Sequence, residues 1–441
     1  MSKIGGLTGA VVVLALSSAA AAQDGGAAEW QPPPPALVER ARALLEEVPL
    51  VDGHNDLPWE LRARFRNHLA AIDLAKDQSG LEKPLHTDLG RLERGGVGAQ
   101  FWSVYVPADI PNPTVAVLEQ IDVVHRLAAR YPQALEVATT AADVERIHRA
   151  GKVASLIGVE GGHAISDSLA VLRQLYAAGA RYMTITHSKN TAWADSATDA
   201  PKVGGLSPFG VEVVREMNRL GMLVDLSHVS AEAMHAALDA AQAPVVFSHS
   251  SARALDAHPR NVPDDVLRRM PRNGGLVMVT FVPGFISEAV RAWWADEDAA
   301  EARLKALHPG DPEAAAAALA AWRKEHPEPS ATLAQVADHV EHVRRVAGVE
   351  HVGIGSDFDG ITTVPRGLED VADYPLLLAE LLRRGWSEGD VKKLAGENAL
   401  RVLREAERTA ARLQQERPAS DALIDELDRP TAKSPEAVRS N

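Results

Sequence analysis

Eight short apolar runs, rich in β-branched residues, alternate along this chain with longer stretches of helical periodicity. Such alternation is typical of βα units in a parallel sheet, and eight strands are the number that closes a (β/α)8 barrel. The runs are PLVDGH, VGAQFWSVYVP, VASLIGVEGG, ARYMTITHS, GMLVDLSHVS, PVVFSHSSA, GLVMVTFVP and HVGIGSDFDG. The sequence therefore predicts an α/β fold of the (β/α)8, TIM-like barrel type.

The segments around this alternation predict the domain organisation. Residues 1–22 combine a thin positive start, an apolar stretch and small residues, so we expect a signal peptide. A proline-rich linker follows at 23–35, and the barrel is predicted over 36–412. The Ala-rich insertion at 285–330, between the seventh and eighth strands, predicts extra helices. The polar, proline-punctuated tail at 413–441 is expected to be poorly ordered.

Charge and cysteine content exclude several classes of protein. The net charge is −14 and there is no basic stripe, so nucleic-acid binding is not expected. The absence of cysteine excludes disulfides, thiol nucleophiles, iron–sulfur clusters and a lipoprotein-type anchor. We therefore expect no stable membrane anchor, and any bound metal must be held by His, Asp and Glu.

Ionisable residues follow most of the predicted strands. Parallel barrel strands place their C-terminal ends on one rim, so side chains far apart in sequence should converge there. Burying so many charges is costly unless a cation pairs them. The surplus of carboxylates favours two ions, bridged by one Glu, with a hydroxide between them. The converging residues are His54, Asp56, Glu160, His187, His228, His249 and Asp357.

The segment VDGHNDLPW contains two of these residues, two positions apart. Residues at that spacing point to the same side of an extended strand, so His54 and Asp56 can bind one ion. Each feature is weaker alone, since Glu160 could be a turn carboxylate and His228 or His249 a core histidine with internal partners. The repetition at successive strand ends favours a metal site.

Two further histidines have metal-ligand spacing but lack a third ligand. His339 and His342 are three residues apart on a predicted helix, beside Glu341. We interpret them as a pair on the helix surface.

Six motifs, in order, resemble the membrane dipeptidase (renal dipeptidase) family, which are zinc peptidases with amidohydrolase-like barrels. The motifs are VDGHNDLPW, GVEGGHAI, ITHSKNTAWAD, DLSHVS, FSHSSARAL with HPRNVPDD, and GIGSDFDG. The resemblance runs from about residue 36 to 411. It implies a zinc-dependent dipeptidase that hydrolyses the peptide bond of dipeptides, including L-Xaa-D-Xaa, through a metal-bridging hydroxide.

The resemblance also implies a ligand set, transferred motif by motif. His54 and Asp56 would hold one zinc ion, and His228 and His249 would hold the second. Glu160 would bridge the two ions. Two Zn²⁺ per chain are expected, although the same ligands would suit Mn²⁺ or Co²⁺.

Three residues would act on the substrate by the same resemblance. His187 would contact the carbonyl and stabilise the oxyanion, Arg260 would pair with the C-terminal carboxylate, and Asp357 would move the proton of the water. Arg253, in the same loop as Arg260, is an alternative clamp that we interpret as a surface arginine. The family often has an aromatic residue where this chain has Val282, which leaves the side-chain preference open.

The leader and the resemblance also predict where the protein is found and how it assembles. A cysteine-free chain with a leader is expected to be an exported bacterial enzyme, periplasmic or secreted, and the resemblance hints at a homodimer.

One alternative function is that of a two-metal barrel hydrolase of lactams or other amides. Another is a non-catalytic zinc-binding protein, which would have no need for Asp357 beside the metals.

Overall fold

A computed structural model describes residues 31–428. The predicted signal peptide at 1–22 and most of the predicted linker at 23–35 lie outside these residues. Within them the chain forms nine strands, namely β1 (Leu50–Asn55), β2 (Val97–Ser103), β3 (Leu135–Val137), β4 (Val153–Glu160), β5 (Ala180–Thr184), β6 (Leu223–Asp225), β7 (Val246–Phe247), β8 (Leu276–Val279) and β9 (Val352–Ile354).

Eight of these strands form a closed parallel barrel. Their order is β2-β1-β9-β8-β7-β6-β5-β4, and pairing of β2 with β4 closes the ring. The eight predicted runs do not include β3. This ninth strand pairs with the first half of β4, and β5 pairs with β4 from Ile157 onwards. The prediction of a (β/α)8 barrel is confirmed.

Helices surround the barrel and connect its strands. None within residues 31–428 combines the length and apolar character that a membrane span requires. The predicted insertion contains α12 and α13, which lie between the seventh and eighth barrel strands. The α-helices are α1 (Pro35–Glu47), α2 (Leu57–Phe65), α3 (Leu89–Arg94), α4 (Pro113–Arg130), α5 (Ala141–Arg149), α6 (Leu169–Ala177), α7 (Pro208–Leu220), α8 (Ala231–Ala240), α9 (Asp264–Leu267), α10 (Met270–Asn273), α11 (Pro283–Ile286), α12 (Glu288–Leu307), α13 (Pro312–Glu325), α14 (Leu333–Ala347), α15 (Tyr374–Arg383), α16 (Glu388–Lys392), α17 (Asn398–Glu416) and α18 (Ile424–Leu427).

The C-terminal segment is folded further than its composition suggests. The boundary expected at residue 412 falls inside α17, where Leu413 is buried on the apolar face of the helix. Asp428 accepts hydrogen bonds from Ser207 Oγ at 2.6 Å and from Phe209 N at 2.9 Å, at the start of α7. Residues 413–428 therefore pack on the barrel, and the rest of the predicted tail lies outside the described residues.

Polar residues stand at or just beyond the C-terminal ends of several strands, such as His54 in β1 and Glu160 in β4. After β6 and β9 the backbone turns into the left-handed region, with φ of +70° at His228 and +69° at Asp357. Such a conformation costs a non-glycine residue about 1–3 kcal/mol, so surrounding contacts must hold both residues in place. These turns direct the side chains that follow the strands into one rim of the barrel.

Candidate metal centre

The seven residues predicted at the strand ends meet at the C-terminal rim of the barrel. They form three overlapping groups of candidate ligand atoms, each within 4.8 Å of one another. The groups are His54 with Glu160 and His249, Glu160 with His187 and His228, and His54 with Asp56 and Asp357.

Glu160 is the centre of this arrangement. Its Oε1 lies 2.9 Å from His228 Nε2, 3.5 Å from His249 Nε2 and 3.7 Å from His187 Nε2. Its Oε2 lies 3.5 Å from His54 Nε2, and that nitrogen lies 3.2 Å from Asp56 Oδ2. The two oxygens of one carboxylate therefore face different histidines.

Some of the candidate ligand atoms have no hydrogen-bond partner within the protein. His54 Nε2 and Asp56 Oδ1 are buried and have no hydrogen-bond partner among the described residues. Buried polar atoms of this kind are costly to leave unsatisfied. A divalent cation among these atoms would satisfy them, so the residues present fit the metal that the sequence predicts.

Burial and neighbouring charges favour the metal-binding protonation states of His228, His249 and Glu160. Burial lowers the pKa of His228 and of His249 well below the ordinary histidine value. Burial alone would favour the neutral acid of Glu160, but His54 and His187 hold its pKa well below its usual range. Neutral imidazoles and an ionised carboxylate are the forms that coordinate metals.

His54 differs from these residues. Burial would lower its pKa, but the electrostatic contributions of Tyr182, Glu160 and Asp56 outweigh burial and raise the pKa well above its ordinary value. This ring must therefore lose a proton when metal binds.

A chain of hydroxyl groups fixes the ring of His249. Its Nδ1 lies 2.8 Å from Ser248 Oγ, which in turn donates to Asp225 Oδ2 at 2.6 Å. Thr184 Oγ1 donates to the same carboxylate oxygen at 2.6 Å. Partners of this kind orient a ligand ring and leave its other nitrogen directed at the metal.

A second set of internal partners fixes the strand that carries His54. Its Nδ1 lies 2.9 Å from the hydroxyl of Tyr182, which leaves Nε2 facing the rim. Asp52 is fully buried and accepts hydrogen bonds from Ser356 N and Ser356 Oγ, both at 2.8 Å, and from Tyr374 at 2.8 Å. These contacts join β1 to the loop after β9, and the sequence analysis did not reveal them.

Asp357 lies against Asp56 in the loop that follows β9. A β-carbon added at Gly360 would overlap both Asp56 Oδ2 and Asp357 Oδ1, so only glycine fits between the two carboxylates. Burial, together with the charges of Asp56 and Glu160, raises the pKa of Asp357 well above its ordinary value. This carboxyl group can therefore hold a proton beside the candidate ligands.

Arg260 is a buried cation at the same rim. It is 3% exposed, and its guanidinium donates only long hydrogen bonds, to Ser250 Oγ at 3.3 Å and to the His249 carbonyl at 3.4 Å. No carboxylate of residues 31–428 forms an ion pair with it, and burial lowers its pKa to about 10. A buried cation without an ion-pair partner would be stabilised by binding an anionic ligand.

A cavity of about 300 Å³ separates Arg260 from Asp357, and we refer to it as the inner cavity. Its wall includes His228, so a ligand held there reaches the candidate metal ligands. The remaining lining residues are Val282, Pro283, Phe285, Trp294, Gly360, Ile361, Thr362 and Thr363.

The structure gives the other predicted polar residues internal roles. His339 and His342 are buried, which corrects the prediction of a helix-surface pair. His339 Nδ1 accepts a hydrogen bond from Ala252 N at 3.0 Å, and His342 Nε2 lies 2.7 Å from Asp264 Oδ1. Arg253 donates to the carbonyls of Pro259 and Asn261, so it braces the loop of Arg260 and is only partly exposed.

A closed (β/α)8 barrel with histidines and carboxylates converging at its C-terminal rim defines a metal-dependent barrel hydrolase. The family model described as membrane dipeptidase (peptidase family M19) matches residues 38–417. The chain therefore belongs to the membrane dipeptidase family, as its motifs predict.

Individual relatives agree with this assignment. Dipeptidase verJ from Clonostachys rogersoniana is 41% identical over 391 residues, which cover 86% of this chain and 89% of that protein. The crystal structure of the probable dipeptidase PvdM from Pseudomonas aeruginosa has a TM-score of 0.71 and 26% identity, covering 86% of this chain and 100% of PvdM.

A third relative is the metallo peptidase from Rhodobacter sphaeroides, solved with a phosphinate mimic of the dipeptide L-Ala-D-Ala. It has a TM-score of 0.65 and 25% identity, covering 81% of this chain and 99% of that protein. The present chain is thus a metallo-dipeptidase, a hydrolase that acts on the peptide bond of dipeptides and uses a metal cofactor.

Proposed function

We propose that this enzyme is a two-zinc dipeptidase whose substrates include dipeptides with a D-residue at the C-terminal position. The observation that carries the proposal is Glu160, whose Oε2 faces His54 and whose Oε1 faces His228 and His249. His54 and Asp56 would hold one ion, His228 and His249 the other, and Glu160 would bridge them. Mn²⁺ or Co²⁺ would suit the same ligands.

When bound, such a pair of ions lowers the pKa of a water molecule and polarises a carbonyl oxygen. The remaining roles belong to side chains around the inner cavity. Arg260 would hold the C-terminal carboxylate of the dipeptide with parallel, charge-assisted hydrogen bonds. A longer peptide has no carboxylate at that position, so this contact would select dipeptides.

His187 and Asp357 would act on the scissile amide. The His187 side chain is 19% exposed, whereas that of His54 is 0% exposed, so His187 is the more accessible of the two histidines. It would donate a hydrogen bond to the carbonyl oxygen as negative charge develops there. Asp357 would accept the proton of the attacking water and deliver it to the leaving amine.

The inclusion of dipeptides with a C-terminal D-residue among the substrates rests on similarity. The Rhodobacter sphaeroides relative binds a mimic of L-Ala-D-Ala, which supports this dipeptide as the test substrate. The mature protein would be treated with a chelator and assayed for hydrolysis of L-Ala-D-Ala while zinc is restored in steps. We expect activity to be absent after chelation and to reach its plateau at about two zinc ions per chain.

Two results of this titration would contradict the proposal. A plateau at one ion per chain would reject the dinuclear site, and hydrolysis of L-Ala-L-Ala without L-Ala-D-Ala would reject the inclusion of dipeptides with a C-terminal D-residue. Repeating the titration with Mn²⁺ and Co²⁺ identifies the ion that gives the highest activity at equal occupancy.

We also propose an exported enzyme, periplasmic or secreted, that is able to form a homodimer. The leader-like pattern of residues 1–22 supports export. Fractionation of a bacterial host that expresses the full chain tests export, and sedimentation of the purified protein tests dimerisation. Activity confined to the cytoplasmic fraction, or a monomer at micromolar concentration, would contradict the respective statement.

A further inference from the structure

The inserted helices α12 and α13 build a second cavity next to the inner one. It has a volume of about 520 Å³, and we refer to it as the outer cavity. Trp294, Thr362 and Thr363 line both cavities, so the two spaces adjoin across Trp294. The other residues of the outer cavity are Trp293, Glu297, Asp298, Arg323 and Glu328.

The aromatic walls of the outer cavity are held in place. Trp294 Nε1 donates to Glu328 Oε1 at 2.9 Å, and the indole packs on the backbone of Gly284, where a β-carbon would overlap it. Trp293 Nε1 donates to the His326 carbonyl at 2.8 Å. The two indoles are therefore fixed surfaces, and Trp294 packs on α11, which borders the inner cavity.

The two cavities differ in charge. The inner cavity contains one guanidinium, that of Arg260, and one acid, Asp357, whereas the outer cavity contains three carboxylates and one guanidinium, that of Arg323. Arg323 pairs with Glu297. Within residues 31–428, Asp298 and Glu328 form no ion pair, so the outer cavity has an excess of negative charge. A ligand that spans both spaces should be anionic at its inner end and cationic at its outer end.

We propose that the outer cavity binds a long cationic side chain of the C-terminal residue, so that the enzyme prefers dipeptides ending in Lys or Arg. This inference rests on the proposed function, because Arg260 would fix the carboxylate of the same residue in the inner cavity. The methylene groups of the side chain would lie against Trp294, and its charge would face the indoles, Asp298 and Glu328.

The test compares kcat/KM for two dipeptides, Ala-Lys and Ala-norleucine, which share a four-carbon side chain and differ in the ammonium group. We expect the parent enzyme to prefer Ala-Lys about fivefold, and 0.5 M NaCl to weaken that preference. In Asp298→Asn/Glu328→Gln the ratio should fall towards one. The Gln side chain at position 328 can still accept the hydrogen bond from Trp294 Nε1, so the double substitution removes charge and keeps this contact.

A matched variant is available on α12 and α13. Asp296→Asn/Glu325→Gln removes the same charge from exposed positions that line neither cavity, and it should keep the parental ratio. Arg323→Gln, which removes the cation of the outer cavity, should raise the ratio. Thermal unfolding of each variant verifies that it is folded.

The possible outcomes separate this inference from the proposed function. A parental ratio near one, or a ratio that both double variants leave unchanged, would overturn the outer-cavity inference while dipeptide hydrolysis stands. A parent enzyme that is zinc-loaded and hydrolyses neither dipeptide, nor L-Ala-D-Ala, would overturn the proposed function and the inference with it.

Discussion

The rim of the barrel and the inserted pair of helices hold polar side chains in opposite ways. At the rim, His54 and His249 are buried, and each ring is fixed by a second buried group, Tyr182 or Ser248. On α12, by contrast, Val290 is the one buried residue within the helix. Reactions need fixed geometry, whereas charge selection tolerates mobile, solvated side chains.

The comparison predicts different sensitivities to substitution in the two regions. A substitution at the rim removes a partner that solvent cannot replace, because the site is buried. Such a substitution should therefore change catalytic activity by orders of magnitude. The same chemical change on the insertion replaces a solvated charge and should alter activity or stability little. Pairs of identical substitutions, one in each region, test this difference.

Glu160→Gln should have the largest effect. Loss of the carboxylate that faces both sets of histidines should lower kcat/KM for L-Ala-D-Ala by at least about 10³-fold and reduce the zinc content of the purified protein. Glu301→Gln makes the same change on α12 and should alter neither quantity. Full activity and full zinc content in Glu160→Gln would remove Glu160 from the metal centre.

Arg260→Gln should lower kcat/KM for dipeptides about 10- to 100-fold, which corresponds to the loss of one charge-assisted hydrogen bond worth about 1.5–3 kcal/mol, because the Gln amide can still donate the other. A dipeptide C-terminal amide lacks that carboxylate and should lose little in the variant. Arg303→Gln on α12 is the matched control. Equal losses for the dipeptide and its amide would favour the alternative hydrolase of lactams or other amides.

Asp359→Asn should change the dependence of stability on pH. Asp359 Oδ1 accepts a hydrogen bond from His86 N at 2.7 Å, Oδ2 has no partner among the described residues, and burial raises the pKa from 3.8 to about 7. Between pH 4 and 7 the folded state holds a proton that the unfolded state has released. The free energy of unfolding contributed by this group therefore falls as the pH rises through that range.

The Asn side chain cannot ionise, so the variant has no buried charge at pH 8. It should therefore be more stable than the parent at pH 8 by a few kcal/mol, and the difference should vanish near pH 4, where the parent is protonated in the folded state. Urea unfolding at both pH values measures this difference. Asp296→Asn, on the insertion, should show no pH-dependent difference. An Asp359→Asn variant that is less stable than the parent at pH 8 would show that the folded state favours the ionised carboxylate, so that its pKa is not raised by burial.

Ser248→Ala should have the smallest of these effects. Without the hydroxyl between His249 and Asp225, we expect zinc affinity to fall about tenfold, measured by competition with a chelator. Ser155→Ala is a suitable control, because the Ser155 hydroxyl is buried in β4 and has no hydrogen-bond partner among the described residues. Equal affinities in the two variants would mean that the hydroxyl chain does not orient His249.

The convergence of the candidate ligands was predictable because each follows an apolar run, and the topology of a parallel barrel then brings them together. Their internal partners were harder to predict, since Asp225 and Ser248 meet only after β6 and β7 pair. One local signal was present. Asp52 and Asp225 each interrupt an apolar run shortly before a candidate ligand, and an acid within a buried strand must have partners.

Short or charged segments explain the differences between prediction and structure. β3 has Glu136 at its centre and is only partly buried, so no apolar run marks it in the sequence. His339 and His342 have charged neighbours, Asp338 and Glu341, but helical spacing turns both imidazoles towards the barrel. The composition around Leu413 is polar, yet one apolar face is enough to continue α17 onto the barrel.

The closure of the barrel has a consequence for the order in which the enzyme matures. Asp52, beside the first ligands, is joined to Ser356, which is 304 positions later in the chain. Pairing of β1 with β9 is thus among the last contacts a ribosome makes available, and such distant pairing is slow. The candidate ligands come together only once the chain has been synthesised past β9, so we expect metal to bind after translation of the barrel.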